Sequence, residues 1–317
     1  MNVLVTGCGG DIGQSIGKIL KEISFVDIVI GCDIFIETPS KFIYDKLLKS
    51  LPCYTDGYLK DLENKIEIYN IDLLVPISEP EIRFFSVNNI YFIKKCRVLI
   101  ANKKSTQIGF DKFNTAELLK LEGLPYPKTF LIEDLFNVGN ELNLPVIIKS
   151  RFGSGSKNMF HVETSNELNF YQRKLKNYIV QEKIKGENNE FTCGLFRSRN
   201  GEIRVLIINR LLTGGFTGFG RIEKNKQIEV LLIQLAKKLD LVGSINVQLK
   251  LLKSTPYIFE INPRFSSTVR FRDLIGFKDL LWTIQDLFEL NIDDYTPVSE
   301  GVKFYKGYNE YIEQNEN

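Results

Sequence analysis

The sequence predicts an α/β protein: a parallel, doubly wound sheet over residues 1–101, followed by strand pairs mixed with helices. Three observations carry this prediction. Apolar runs of strand length alternate with helical patterns through the first third of the chain. Glycines cluster where the first strand gives way to the first helix. The composition, 44% hydrophobic and 25% charged over 317 residues, is that of a folded chain long enough for two or three subdomains.

The elements follow in order. NVLVTG (2–7) is an apolar run entering a strand, and CGGDIGQSIGKILKEI (8–23) places Ile12, Ile16, Ile19, Leu20 and Ile23 on one side of a helix. VDIVIGCD (26–33) is a second strand, IDLLVPISEPE (71–81) a strand ending in a turn, and CRVLIAN (96–102) one more. From Asn102 the chain is polar and then amphipathic, a single linking helix closed by Gly123 and followed by Pro125 and Pro127. LPVIIKSRFGSGSKNMFHV (144–162) reads as strand, glycine–serine loop and strand, and NYIVQEKIKGENNEFTCGLF (177–196) as strand, bend and strand. The last third holds a strand pair around IRVLIINRL (203–211), a helix at IEVLLIQLAKKLDL (228–241), the strands NVQLKLL (246–252) and YIFEIN (257–262), and a helix at DLLWTIQDLFEL (279–290). A charged tail, EYIEQNEN, closes the chain.

Charge and composition exclude several function classes. Lysine and arginine (41) nearly balance aspartate and glutamate (39), and the two signs are interspersed, so nucleic acid binding has no electrostatic support. No apolar run reaches the roughly 18–20 residues a bilayer requires, and MNVLVTG enters a strand without a basic leader, which leads to the expectation of a cytoplasmic protein. Cys8, Cys32, Cys53, Cys96 and Cys193 are scattered and form no CxxC pair, the pattern of reduced, mostly buried thiols. His161 is the only histidine, which leaves Ser-His-Asp and Cys-His catalysis without an obvious base.

Two glycine loops and one polar strand carry the chemistry. The loop from Gly7 to Gly13, with Asp33 ending the next strand, fits a dinucleotide fingerprint, and it fits a tightly packed turn equally well. The second loop, Phe152 to Lys157, follows Lys149 and Arg151 and lies between two strands, so it lacks the helix a Walker loop needs. Such a hairpin is either a solvated turn or a flap whose backbone N–H groups and hydroxyls fold over phosphates. The polar strand is FEINPRFSST (259–268): spacing of two residues puts Glu260, Asn262 and Arg264 on one face of an extended chain, where three polar groups together call for a ligand.

A lysine on a strand, a Gly/Ser hairpin, QEKIKGENNEF, and NVQLKLL followed by FEINPRF form an ordered series. It resembles the ATP-grasp superfamily, most closely the branch containing the large subunit of carbamoyl phosphate synthetase and related carboxylate–amine ligases. The resemblance runs from residue 7 to about residue 285 and is most specific at FEINPRF. It implies an α+β ATP-grasp architecture, a Rossmann-like parallel-sheet domain followed by a two-lobed ATP-grasp domain. The implied spans are 1–101, 102–185 for linker and lid subdomain, 186–290 for a C-terminal subdomain with the metal site, and 291–317 as a tail.

The resemblance also implies roles. Gln248, Glu260 and Asn262 are expected to hold magnesium, or manganese, against the phosphates of ATP, a hard-cation site of one carboxylate and two amide oxygens completed by phosphate. Arg264 is expected beside the γ-phosphate and Lys149 on the α/β-phosphates, the pair expected to be catalytic. Lys112 and Arg151 are expected to contact nucleotide, Ser154, Gly155 and Ser156 to form the lid, and Gln181, Glu182, Lys183 and Ile184 to read adenine. Glu190 is expected on the ribose with Glu187 as its rival, because KGENNEF carries an extra residue relative to the commonest spacing. In the resemblance the first glycine loop faces an acceptor substrate, not a dinucleotide; Gly9, Gly10, Asp11 and Glu79 are its candidates. Arg210 and Arg270, with Arg221 and Arg272 nearby, are candidates for an acidic substrate.

The expected reaction is ATP-dependent activation of a small-molecule carboxylate as an acylphosphate, followed by attack of an amine. Two alternatives stay open at this point: phosphorylation of a small molecule without ligation, and a nicotinamide-dependent oxidoreductase built on GCGGDIG. The latter lacks a Tyr-x-x-x-Lys pair near midsequence, where Tyr171 is followed by Lys174. A non-enzymatic nucleotide sensor is a fourth reading. The oligomeric state is not legible, though a homodimer is frequent among such enzymes.

Overall fold

Alternation of Val3, Leu4 and Val5 along the first strand sends successive side chains to opposite sides, and both sides are buried. The protein is described here from a computed structural model, which covers residues 1–137, 142–153, 159–186, 189–213, 216–307 and 309–312. The lid candidates Ser154, Gly155 and Ser156, and Glu187, lie outside the described residues. Helices are α1 (Asp11–Leu20), α2 (Tyr58–Ile68), α3 (Glu79–Val87), α4 (Lys103–Gly109), α5 (Lys112–Leu121), α6 (Ser165–Lys174), α7 (Lys226–Lys238), α8 (Val269–Leu274) and α9 (Asp279–Leu287).

The first sheet contains β1 (Asn2–Thr6), β2 (Ile28–Asp33), β3 (Lys46–Lys49), β4 (Leu73–Pro76), β5 (Phe92–Ile93) and β6 (Cys96–Val98) in the order β3-β2-β1-β4-β6-β5. It is parallel apart from the β5–β6 pair. Leu4, Ile30 and Leu74 pack on α2 and α3 through Leu62, Ile66 and Phe85, while Val3, Val5 and Val75 pack on α1 through Ile16, Ile19 and Leu20. That second face is also covered from the far end of the chain, by Val269 of α8 and Leu280 and Ile284 of α9. Burial on both faces is why these strands read as unbroken apolar runs. Strand order reverses between β1 and β4, the place where open α/β sheets bind ligands.

Two antiparallel sheets follow. One contains β7 (Thr129–Leu131), β8 (Val146–Ser150), β9 (Phe160–Val162) and β10 (Tyr178–Glu182) in the order β7-β10-β8-β9. The other contains β11 (Glu190–Arg197), β12 (Ile203–Thr213), β13 (Phe216–Ile222), β14 (Gly243–Leu252), β15 (Thr255–Asn262) and β16 (Lys303–Tyr305) in the order β15-β14-β11-β12-β13-β16. The amphipathic α7 and α5 cover one of its faces, Leu232 and Leu119 meeting Cys193 and Val247 in a common core.

Three details depart from expectation. The linking helix is two helices, broken at Phe110–Asp111 because Asp111 caps α5, its Oδ1 accepting from the amides of Phe113 (3.0 Å) and Asn114 (3.3 Å). SEPE is the start of α3, with Ser78 as N-cap, where a turn was expected. The stretch 291–317, which reads as a tail, contributes β16: Phe304 pairs with Gly220 where no side chain would fit, since a Cβ there would lie 2.2 Å from the ring.

Arg272, a candidate for an acidic substrate, has no exposed side-chain surface. Its guanidinium lies 3.1 Å from Asp279, donates to Ser266 at 3.0 Å and to Asn246, and Asp279 accepts from Ser244 at 2.7 Å. Removing one member of such a buried pair strands the other charge. Asp279→Ala is expected to destabilise the fold by about 3–5 kcal/mol, while Arg272→Met combined with Asp279→Leu recovers most of that loss, as read from urea midpoints.

Candidate active site

Between the two antiparallel sheets lies a cavity of about 350 Å³. Its walls follow from strand register. On β14, Val247 and Leu249 point into the core beneath α7, so Gln248 and Lys250 must point the other way, into the cavity. Gln248 is the cross-strand partner of Glu260, and Lys250 of Glu190. The facing sheet contributes Ile147 and Lys149 from β8 and Gln181 and Glu182 from β10.

The register of β15 slips beside Gln248 and Leu249, where Ile258 and Glu260 take consecutive partners and Phe259 is the extra residue. Strict alternation would align Ile258 with Glu260. The slip instead leaves Ile258 fully buried in the core and brings Phe259 and Glu260 together onto the cavity wall. The Phe259 ring then sits 5.3 Å from Lys149 Nζ, which donates to the Phe259 carbonyl at 3.3 Å.

This cavity concentrates positive charge. Burial pushes the Lys149 ammonium down to about 8 from 10.5; nearby Lys112 and Lys250 act in the same direction, and Glu260 and Glu190 oppose it. Lys112, at the start of α5, is anchored by donating to the carbonyl of Gly153 at 2.5 Å. Arg210 bridges Glu190 (2.6 Å) and the Gln248 side-chain oxygen (2.9 Å). Arg264 follows the end of β15; burial lowers its pKa, with Glu79 and Glu260 holding it up.

Several expected residues are therefore brought together: Lys112, Lys149, Gln181, Glu182, Ile184, Glu190, Gln248 and Glu260 line one cavity. Others are placed differently. Arg151, expected on nucleotide, is turned away: its Nε and Nη2 clamp the Asp111 carboxylate at 2.9 and 2.7 Å. The Gln181 side-chain amide donates to Thr129 at 2.8 Å, so its side chain is already engaged, and Lys183 is not among the lining residues. Asn262 is buried at the end of β15 opposite Asn246.

The substrate candidates do not form one cluster. Arg210 lines the cavity just described, whereas Asp11 and Arg270 line a second one, where Arg270 pairs with Glu22. Gly9 donates its amide to Asp33 at 2.8 Å, which engages that carboxylate with the first glycine loop. Glu79 accepts from Gly153 N and from Arg83, both at 3.3 Å. Arg221 pairs with Glu223.

Lys250, Phe259, Met159 and His161 also line the cavity and were not singled out as site residues. Lys250 was legible, two residues beyond Gln248 on the same face. Phe259 was hidden by the bulge. Met159 and His161 depend on how the hairpin returns, which no local pattern encodes.

Residues 110–268 match the ATP-grasp domain family, and the chain belongs to it. Carbamoyl phosphate synthase large chain of Thermotoga petrophila is 26% identical over 196 residues, 56% of this chain and 18% of that protein, so the chain spans under a fifth of such relatives. Coenzyme gamma-F420-2:alpha-L-glutamate ligase of Methanococcus maripaludis is 32% identical over 111 residues, 33% of this chain and 37% of that protein. Among solved structures, N5-carboxyaminoimidazole synthetase from Staphylococcus aureus complexed with ADP superposes with a TM-score of 0.75 at 15% identity, covering 94% of this chain and 79% of that one. Among the described residues no helix is long and apolar enough to cross a membrane.

The Lys149 shift has a stability consequence. Below about pH 8 the folded and unfolded states both hold the proton and the burial cost is present in full; between about 8 and 10.5 the native state releases it first, so the cost fades as pH rises. Lys149→Met is expected to stabilise the free protein by about 2–3 kcal/mol at pH 7. Its advantage over the parent should shrink through that window, as read from paired denaturation curves.

Proposed function

We propose that this protein is an ATP- and magnesium-dependent ligase that activates a small-molecule carboxylate as an acylphosphate for attack by an amine, giving amide, ADP and phosphate. The observation that carries the reading is the cavity in which Lys112 and Lys149 on one side face the Gln248–Glu260 pair on the other. The Methanococcus relative is a ligase by name, and the Staphylococcus structure holds ADP in the same fold.

In this reading adenine lies against Ile147, Ile184 and the backbone of the Gln181–Ile184 segment, and Glu190, held by Arg210, receives the ribose. Lys149 and Lys112 take the phosphates, whose charge relieves the repulsion among the cavity's lysines. Among the described residues no group of three or more His, Cys, Asp or Glu side chains could hold a metal unaided. A single carboxylate, Glu260, opposite its cross-strand partner Gln248 fits magnesium that arrives on phosphate, since this ion is usually held by one or two carboxylates plus substrate; Asn262, buried two residues further along β15, is the remaining expected ligand. Bound there, the metal would neutralise charge on the transferring phosphoryl group.

In this reading Arg264, whose charge is supported by Glu79 and Glu260, stabilises the migrating phosphoryl group and meets the carboxylate that accepts it. The γ-phosphorus–oxygen bond to ADP breaks as the bond to the carboxylate oxygen forms. The amine nitrogen then displaces phosphate from the acyl carbon and loses a proton. Positioning and charge neutralisation suffice for both steps, so no enzyme nucleophile is required.

Three measurements test this. Mg·ATP should raise the melting temperature, and Glu260→Ala should abolish that rise. Because phosphate restores the charge of Lys149, binding at pH 8.5 should take up a proton while binding at pH 6.5 should not, as read by calorimetry in buffers of differing ionisation heat. ADP should accumulate over many turnovers only when carboxylate and amine are both supplied, with at most one equivalent per enzyme formed without amine; a phosphorylated product accumulating over many turnovers without amine would overturn the ligase reading.

A further inference from the structure

Two charged groups in the cavity between the antiparallel sheets keep unused hydrogen-bonding capacity. Glu190 opens β11 and Lys250 lies on β14; the two are cross-strand partners, and both line the cavity. Arg210, reaching from β12, directs two donors at one oxygen of Glu190: its Nη2 and Nε lie 2.6 and 3.1 Å from Oε1. The other oxygen, Oε2, faces the Lys250 ammonium across 3.7 Å. That separation suits an ion pair but is too long for a hydrogen bond. Among the described residues neither Oε2 nor this ammonium has another polar partner.

Chemistry restricts what fits between them. The ammonium only donates and the carboxylate only accepts, so a bridging group must accept from one and donate to the other. A hydroxyl does both, and contacts of roughly 2.7–2.9 Å to each side close the gap. A methylene in the same place would leave both charged groups without a partner. Position along the strand identifies which hydroxyl. Lys250 stands two residues beyond Gln248 on the same face, about 7 Å further along an extended chain. Phosphate and metal belong at the Gln248–Glu260 end in the ATP reading, so Lys250 lies where the sugar follows the phosphates.

We infer that Lys250 is a further specificity-determining residue: it donates to the ribose hydroxyl whose proton Glu190 Oε2 accepts, and so selects ribonucleoside over deoxyribonucleoside triphosphates. The inference rests on the ATP site proposed above and adds to it a residue with no assigned role. A carboxylate alone asks only for a proton donor. Paired with an ammonium at this spacing, it asks for a group that is donor and acceptor together, and loss of the hydroxyl then costs both partners. Arg210 sharpens the selection by occupying Oε1, which leaves Oε2 as the oxygen open to the sugar.

Calorimetric titration of the full chain with the magnesium complexes of ATP, 2′-deoxy-ATP and 3′-deoxy-ATP tests this without turnover. The parent should bind one of the deoxy forms about tenfold or more weakly than ATP, as expected for a hydrogen bond to a charged group. Lys250→Met keeps the apolar stem and removes the ammonium; it should cut that ratio to about threefold or less, mainly by weakening ATP. Lys250→Arg, which keeps a cationic donor, should preserve more of the ratio than Lys250→Met does. Equal loss of affinity for all three nucleotides in Lys250→Met would mean that the ammonium serves the phosphates or merely balances Glu190, and the inference falls. It falls also if the parent binds ATP and both deoxy forms alike. A parent that binds none of the three removes the ATP site and the inference with it. Discrimination that depends on Lys250, without ADP release on any carboxylate and amine, keeps the inference and sinks the ligase reading instead.

Discussion

A half-buried lysine ammonium between two sheets is the constraint around which the nearby structure is arranged. Lys149 sits with Lys112 and Lys250 close by, and its pKa is driven down by burial before any of these neighbours acts. Glu260 and Glu190 face it, but Glu190 is already shared with Arg210 and Lys250. The free protein therefore carries an unfavourable electrostatic arrangement that an anionic ligand would reverse. Strain of this kind, placed in a cleft and maintained by the surrounding fold, is what binding sites store.

The fold maintains it by fixing several charges nearby. Asp111 both caps α5 and clamps Arg151, so the strand that carries Lys149 is tied to the helix that begins with Lys112. Phe152 packs between the guanidinium groups of Arg83 and Arg151, about 5.1 Å from each, which joins the base of the hairpin to the first domain's α3. Behind the opposite wall the buried Arg272–Asp279 pair links α8 and α9 to Asn246 and Ser244 of β14. The three sheets thus meet through ion pairs and cation–aromatic contacts as well as through apolar packing.

Much of this was legible in the chain itself. Residues 2–98 announce a doubly wound sheet because both faces of each strand are buried, and the amphipathic α7 announces its own position through Leu231, Leu232 and Leu235. Glu260 could be singled out because polar residues at spacing of two on an otherwise apolar strand have few other reasons to be there, and Lys149 because a lysine precedes the glycine–serine hairpin, whereas Lys112 and Gln248 were named through the resemblance to the ATP-grasp superfamily. Arginine was the residue type that misled. Arg151, Arg270 and Arg272 looked equally available in sequence, yet each meets a carboxylate far from it or on another element: Asp111, Glu22 and Asp279. A guanidinium's partner is a fact of packing, and nothing local distinguishes a clamp from a ligand.

The sequence by itself determined which strands are core and which stretches are amphipathic helix, because periodicity is a local property of an extended or helical chain, while the residues expected to share a nucleotide site followed from the resemblance carried by an ordered series of motifs. Only the tertiary structure decided that Phe259 joins Glu260 on one wall, that Asp33 closes onto Gly9, and that Asp11 and Arg270 share a second cavity with the segment beyond β16. These depend on a register slip and on contacts between residues more than 200 positions apart, such as Glu22 with Arg270. Such contacts are selected by the summed packing of the whole chain, so no short stretch of it encodes them.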